Sequence, residues 1–175
     1  EFLEKTYRLD QDYTPYENEG LFLEGTSSLV MDRINRIAYM GISARSDLKL
    51  AEIWSEKNDF KLIPFETSSH TGGPIYHSDV MMYIGTELAV VCEDAITNGK
   101  SNVIESLGKT HELMFISHSQ LLNFCGNCIE VKDDQNRLCL IMSSKAIAGY
   151  DDSQKKVLNH FYDRIIHSDL ETIEN

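Results

Sequence analysis

Two acids, a histidine and an arginine supply the side chains from which a site for a cationic or zwitterionic ligand can be built. His77 and Asp79 lie two apart in Tyr76-His77-Ser78-Asp79-Val80, so an extended chain would present both on one side. A histidine takes and gives protons near neutral pH, and an aspartate can anchor a cation. The same pair also suits a strand edge, where the histidine hydrogen-bonds its neighbour and needs no ligand. Glu24, in Leu23-Glu24-Gly25 ahead of an apolar stretch, reads either as a solvated loop acid or as a second carboxylate of the site. Arg45, in Ser43-Ala44-Arg45-Ser46-Asp47, has the fork that clamps a carboxylate, and also the length to face water.

The cysteines offer less. Cys125 and Cys128 form a Cys-x-x-Cys, but a redox pair normally opens a helix, whereas this one opens a predicted strand. His111 and His118, the nearest histidines, do not complete a zinc spacing. Packing as small apolar residues is the expectation for these thiols. No metal and no cofactor is expected.

These residues sit in segments that precede a recurring order of elements. Ser28–Met31 reads as a strand, Asp32-Arg33-Ile34-Asn35 as a turn and Ile37–Ile42 as the hairpin partner. A helix over Asp47–Lys57 puts Leu50, Ile53 and Trp54 on one face, and Phe60–Phe65 returns as a strand. Val80–Ile84, Leu88–Cys92, a helix near Ser101–Leu107 and the strand Glu112–Ile116 repeat that order. A third pass runs through Cys128–Val131, the turn Asp133-Asp134-Gln135-Asn136 and Leu138–Met142 into a helix from Ser153 to about His167. Val157, Leu158, Phe161 and Ile165 give that helix its apolar stripe. The closing strand of the third pass is expected to begin only at Leu170-Glu171-Thr172-Ile173-Glu174-Asn175. The first strands start at Ser28, Val80 and Cys128, 52 and 48 residues apart. A period of that size means a stacked or radial array of β–β–α–β units, here about 21–66, 72–117 and 124–175.

Composition narrows the ligand and the compartment. With 42% hydrophobic residues the chain can bury a core. A formal net charge of −12 leaves no basic face for nucleic acid and favours a small cationic or zwitterionic partner. No apolar run approaches the ~20 residues of a membrane-spanning helix, and the first residues carry no secretory pattern. Cysteines inside apolar runs suit a reducing, cytoplasmic location. The absence of an initiator Met suggests a trimmed chain.

Taken as an ordered set, Leu23-Glu24-Gly25, Ser43-Ala44-Arg45-Ser46-Asp47, Tyr76-His77-Ser78-Asp79-Val80-Met81-Met82, Gly126-Asn127-Cys128-Ile129-Glu130 and Ile141-Met142-Ser143-Ser144 resemble the amidinotransferase and arginine deiminase superfamily. The likeness runs from about Leu21 to Glu174 and is nearest to the citrulline hydrolase subgroup. It implies the pentein fold, an α/β propeller of five β–β–α–β modules, of which about three would be present. It also implies a hydrolase that attacks a guanidino or ureido carbon with a cysteine thiolate. On that resemblance Glu24 and His77 are catalytic, whereas Asp79 and Arg45 bind an arginine-like or citrulline-like amino acid. Asp79 stands where the citrulline subgroup more often has Asn, which leaves the substrate open. The nucleophilic cysteine would lie beyond Asn175, in a segment the chain does not contain, and the 175 residues alone would be inactive. A partial fan leaves an exposed sheet edge or face open to association, a homo-oligomer included. The alternative is a non-catalytic module of the same fold that binds a ligand or partner.

Overall fold

The computed structural model describes residues 10–174 and shows the β–β–α–β order three times. In the first unit β1 (Leu29–Asp32) pairs antiparallel with β2 (Ile37–Gly41), and after α1 (Leu48–Lys57) the chain returns as β3 (Lys61–Thr67), parallel to β2. Asp32 shapes the hairpin turn: its carboxylate accepts from the Asn35 backbone N–H at 2.9 Å and from the Asn35 side-chain amide at 2.8 Å. Asp47 starts α1 by accepting from the Leu50 N–H at 3.1 Å.

The second unit repeats the pattern with β4 (Met82–Ile84), β5 (Leu88–Val91), α2 (Lys100–Leu107) and β7 (Glu112–Phe115), β5 pairing antiparallel with β4 and parallel with β7. Between β5 and α2, β6 (Ile96–Asn98) leaves this unit and extends the first sheet along β3. A short helix, α3 (His118–Leu122), leads into the third unit. There β8 (Ile129–Lys132) and β9 (Leu138–Ser143) form the hairpin, followed by α4 (Ser144–Gly149) and α5 (Asp152–Phe161). The third unit departs from the sequence-based expectation. Its helix stops at Phe161, and Arg164–Ser168 forms β10, parallel to β9, so the unit is complete. Leu170-Glu171-Thr172-Ile173-Glu174 is therefore no closing strand; Glu171–Glu174 is a short helix, α6, and Asn175 lies outside the described residues.

One apolar core runs through all three units, from Tyr39 and Phe65 through Val90 and Leu107 to Leu140 and Leu158. Burial of such side chains stabilises by about 1.5–3 kcal/mol each. Polar contacts set the spacing of the units. Tyr39 Oη lies 2.8 Å from Ser106 Oγ, which ties the first sheet to α2, and Gln154 Nε2 donates to the Phe115 carbonyl at 3.0 Å. Glu130 accepts from the Thr86 N–H at 2.9 Å, holding the second hairpin against β8. Gly126 lies so close to the second unit that a Cβ there would meet the Val80 carbonyl oxygen at 2.6 Å. One row of the third sheet stays uncovered: Ile129, Ile141 and Ile166, neighbours across three strands, are 65, 37 and 39% exposed.

Candidate active site

Three segments meet at the end of β2. The stretch before β1 is strapped to the β2–α1 loop by the Leu23–Ser46 bridge, by Glu24 N–H to the Arg45 carbonyl (3.2 Å) and by Asp47 N–H to the Phe22 carbonyl (2.8 Å). This sets the Glu24 and Arg45 side chains next to each other. Gly25 follows at φ +73°, a left-handed conformation that suits glycine and turns the chain into β1. From the second unit, the buried Ser78 Oγ accepts from the Gly41 N–H at 2.9 Å and fixes the residues around it to the end of β2. His77 thereby reaches Glu24, although 53 residues separate them.

His77 Nε2 lies 2.9 Å from Glu24 Oε2. A carboxylate only accepts, so Nε2–H is the donor in this contact. Arg45 Nη1 approaches the same Glu24 oxygen at 3.8 Å and His77 Nε2 at 3.4 Å, and its guanidinium lies over the Tyr76 ring at 5.0 Å. The His77 and Glu24 side chains are 42 and 38% exposed, so a ligand can reach them. On one side Glu24 and Arg45 line a recess of about 440 Å³ with Glu17, Phe22, Leu23 and Ala44.

Asp79 is not part of this contact set. Ser78–Val80 forms a 3-10 turn, so the two-residue alternation of an extended chain does not hold from His77 to Asp79. Asp79 instead lines a neighbouring cleft of about 320 Å³ with Thr26, Arg33, Tyr83 and Glu130. Burial holds its carboxyl above the usual carboxylate range, and the nearby His77 opposes that shift. Asn127 Nδ2 donates to the Asp79 carbonyl at 3.1 Å, so the Gly126-Asn127 segment braces this wall.

Cys92, Cys125 and Cys139 are buried and Cys128 is half-buried. Burial pushes the Cys125 thiol up to about 11 and Cys128 to about 12, raises Cys92, and Cys139 is fully buried. A reactive cysteine needs access and a lowered pKa. Among the described residues no cluster of three His, Cys, Asp or Glu side chains could hold a metal ion.

Sequence reasoning missed how Arg45 sits on the Glu24–His77 couple and missed a second, buried couple, Asp32–His111. His111 Nε2 lies 3.1 Å from the Gly85 carbonyl and 3.9 Å from Asp32 Oδ2. Asp32 in a turn and His111 before a strand carry no local mark of this pairing, which only the docking of two units creates.

The three β–β–α–β units and the family profile together place the chain in the pentein/amidinotransferase superfamily. Within it, the profile of the eukaryotic N,N-dimethylarginine dimethylhydrolases matches residues 1–175, and the chain belongs to that family. Solved structures carry the likeness at the level of fold. The N-terminal domain of ArgZ bound to product, an arginine dihydrolase from the ornithine-ammonia cycle in cyanobacteria, superposes with a TM-score of 0.70 at 18% identity, over 99% of this chain and 57% of that one. The same domain as a cysteine-to-serine mutant bound to substrate gives 0.68 at 17% identity, over 86% and 51%. A cysteine-to-serine mutant of the dimethylarginine dimethylhydrolase of Pseudomonas aeruginosa, complexed with citrulline, gives 0.54 at 16% identity, over 85% and 51%. The chain thus spans about half the length of these relatives. No curated protein sequence matches it. No helix among the described residues is long and apolar enough to cross a membrane.

Proposed function

We propose that these residues form the proton-transfer and substrate-anchoring part of a cytoplasmic hydrolase of arginine-like or citrulline-like amino acids, whose cysteine nucleophile lies outside the 175 residues. The observation that carries this reading is the 2.9 Å contact between Glu24 and His77, which brings a carboxylate and an imidazole from two units together at an accessible surface. The cysteine thiolate attacks the guanidino or ureido carbon. The carbon–nitrogen bond then breaks, the leaving nitrogen takes a proton from His77, and an S-linked adduct remains. His77 next removes a proton from water, whose oxygen attacks the adduct, and the carbon–sulfur bond breaks to return the thiolate. Glu24 holds the substrate nitrogens and orients His77; Asp79 pairs with the remaining nitrogens and favours a cationic guanidinium over a neutral ureido group. Arg45 takes the substrate's carboxylate.

The relatives support this scheme: one ArgZ structure holds a covalently bound reaction intermediate, and cysteine-to-serine mutants hold substrate or citrulline. The decisive experiment adds the missing nucleophile by pairing these residues with a cysteine-bearing segment of the family and assays release of ammonia or amine from arginine, methylarginines and citrulline. Turnover that survives His77→Ala would refute the role given to His77. The raised thiols within the chain favour a second reading, a module that binds such a ligand without turnover. Ammonia release by the 175 residues alone, abolished by alkylation of Cys125 or Cys128, would overturn both.

A further inference from the structure

The Glu24 carboxylate already has a guanidinium beside it, that of Arg45. Arg45 Nη1 stands 3.8 Å from Glu24 Oε2 and 3.4 Å from His77 Nε2, within ion-pair reach of the carboxylate that a guanidino ligand would pair with. The Tyr76 ring, 5.0 Å away, supports the face of the Arg45 guanidinium. The contact is loose and the Arg45 side chain is half exposed, so it can leave at small cost. We infer that Arg45 is a stand-in for the ligand: its guanidinium caps Glu24 and His77 and leaves only for a molecule that offers a guanidino group to Glu24 and a carboxylate to Arg45.

This rests on the guanidino reading of the site and adds to it a rule of selection. A ligand with a cationic group alone must displace Arg45 and gives it no new partner. An amino acid exchanges one partner of Arg45 for another, because its carboxylate receives the guanidinium that its own guanidino group has displaced. The charge count on Glu24 stays the same throughout. Selection for amino acids over the corresponding amines therefore comes partly from the cap that a ligand must displace, in addition to the attraction for its carboxylate.

The experiment titrates the 175-residue chain and its Arg45→Gln variant with L-arginine and with agmatine, which lacks the carboxylate, following the Gly25 amide by NMR. In Arg45→Gln agmatine should bind about threefold more tightly, since an exposed ion pair no longer competes. L-Arginine should bind about tenfold more weakly, because a charge-assisted contact to its carboxylate is gone. A merely structural role for Arg45 would weaken both ligands together, and that result would overturn the cap. Agmatine affinity unchanged with L-arginine weakened would also overturn it, while leaving the guanidino reading intact. If neither compound shifts Gly25 in either form up to about a thousandfold above typical substrate concentrations, the guanidino reading fails and the cap with it. A ligand-free measurement stands apart from all of these. The Arg45 guanidinium N–H signals should be slowed in the wild type and released in Glu24→Gln, and identical signals in the two would sink the resting contact by itself.

Discussion

Two histidine–carboxylate couples join the first unit to the second, and they share little beyond their residue types. Glu24–His77 is a 2.9 Å contact between side chains 38 and 42% exposed. In Asp32–His111 the separation is 3.9 Å and the exposures are 2 and 1%. The polar atoms of the buried couple are committed elsewhere: Asp32 to the two nitrogens of Asn35, His111 to the Gly85 carbonyl and to Thr110 Oγ1. Each nitrogen and oxygen of the two side chains thus has a partner within the protein. Among the described residues the Glu24 carboxylate of the exposed couple is shared only with a loosely held Arg45, and His77 Nδ1 has no partner. A histidine beside a carboxylate is therefore a structural device when its bonds are filled and its surface is sealed, and it is available for chemistry when neither holds.

The largest expected effect separates the two couples by activity. In a form of the protein that turns over, His77→Ala should lower kcat/KM about a thousandfold, within the range for loss of a general acid–base group. Its thermal midpoint should stay within about 2 °C of wild type, since exposed substitutions rarely cost more than about 0.5 kcal/mol. Steady-state kinetics beside a thermal melt makes the check; a melt that collapses as the activity does would erase the distinction. Next in size is the mirror experiment. His111→Ala or Asp32→Asn should cost about 2–4 kcal/mol in urea unfolding, because each leaves buried polar groups without partners. Glu24→Gln should move the urea midpoint hardly at all.

Two thiols, Cys125 buried and Cys128 half-buried, extend the contrast between filled and open environments to alkaline pH. Cys125 and Cys128 titrate at about 11 and 12 in the folded chain, against an ordinary value of 9.0. Above pH 9 the unfolded chain therefore loses these protons while the folded chain keeps them. Stability from this source is complete below pH 9 and declines as the pH rises toward 11–12. Urea midpoints taken across that range should fall, and iodoacetamide at pH 8 should modify Cys125 and Cys128 only after unfolding. The smallest effect falls on Asp79, between the two couples in burial. Asp79→Asn should shift preference from arginine-like toward citrulline-like substrates by about tenfold, the order of one charge-assisted contact. Because burial raises the Asp79 carboxyl, its hold on a guanidinium should fade, as the pH is lowered, sooner than an ordinary aspartate's would. A preference unchanged in Asp79→Asn would remove Asp79 from substrate choice.

The repeat was readable in the sequence because hairpins and amphipathic helices leave local marks: an apolar run from Leu29 to Met31, turn residues at Asp32 to Asn35, and the stripe of α1. The end of the third unit was not. Val157, Leu158, Phe161 and Ile165 keep a helical period across Tyr162-Asp163, and no Gly or Pro marks the stop, so β10 was hidden inside an apparently longer helix. Glu24, His77 and Arg45 could be picked out by residue type and resemblance. Their arrangement depends on the Leu23–Ser46 bridge and the Ser78–Gly41 hydrogen bond, which join residues 23 and 37 positions apart. The orientation of Asp79 turned on a single 3-10 turn at Ser78–Val80 that a two-residue alternation cannot foresee.

Gly126 ties the third unit to this site in time as well as in space. Its backbone meets Val80 and Met81 with no room for a side chain, and Asn127 holds the Asp79 carbonyl. The strand that follows Asp79 can loosen on its own only if those contacts part. Amide protons from Met81 to Ile84 should accordingly exchange with solvent at the rate at which the third unit opens, as one cooperative block. A denaturant that unfolds the third unit first would expose them at the same moment, and Gly126→Ala should quicken their exchange without altering any residue that faces the ligand.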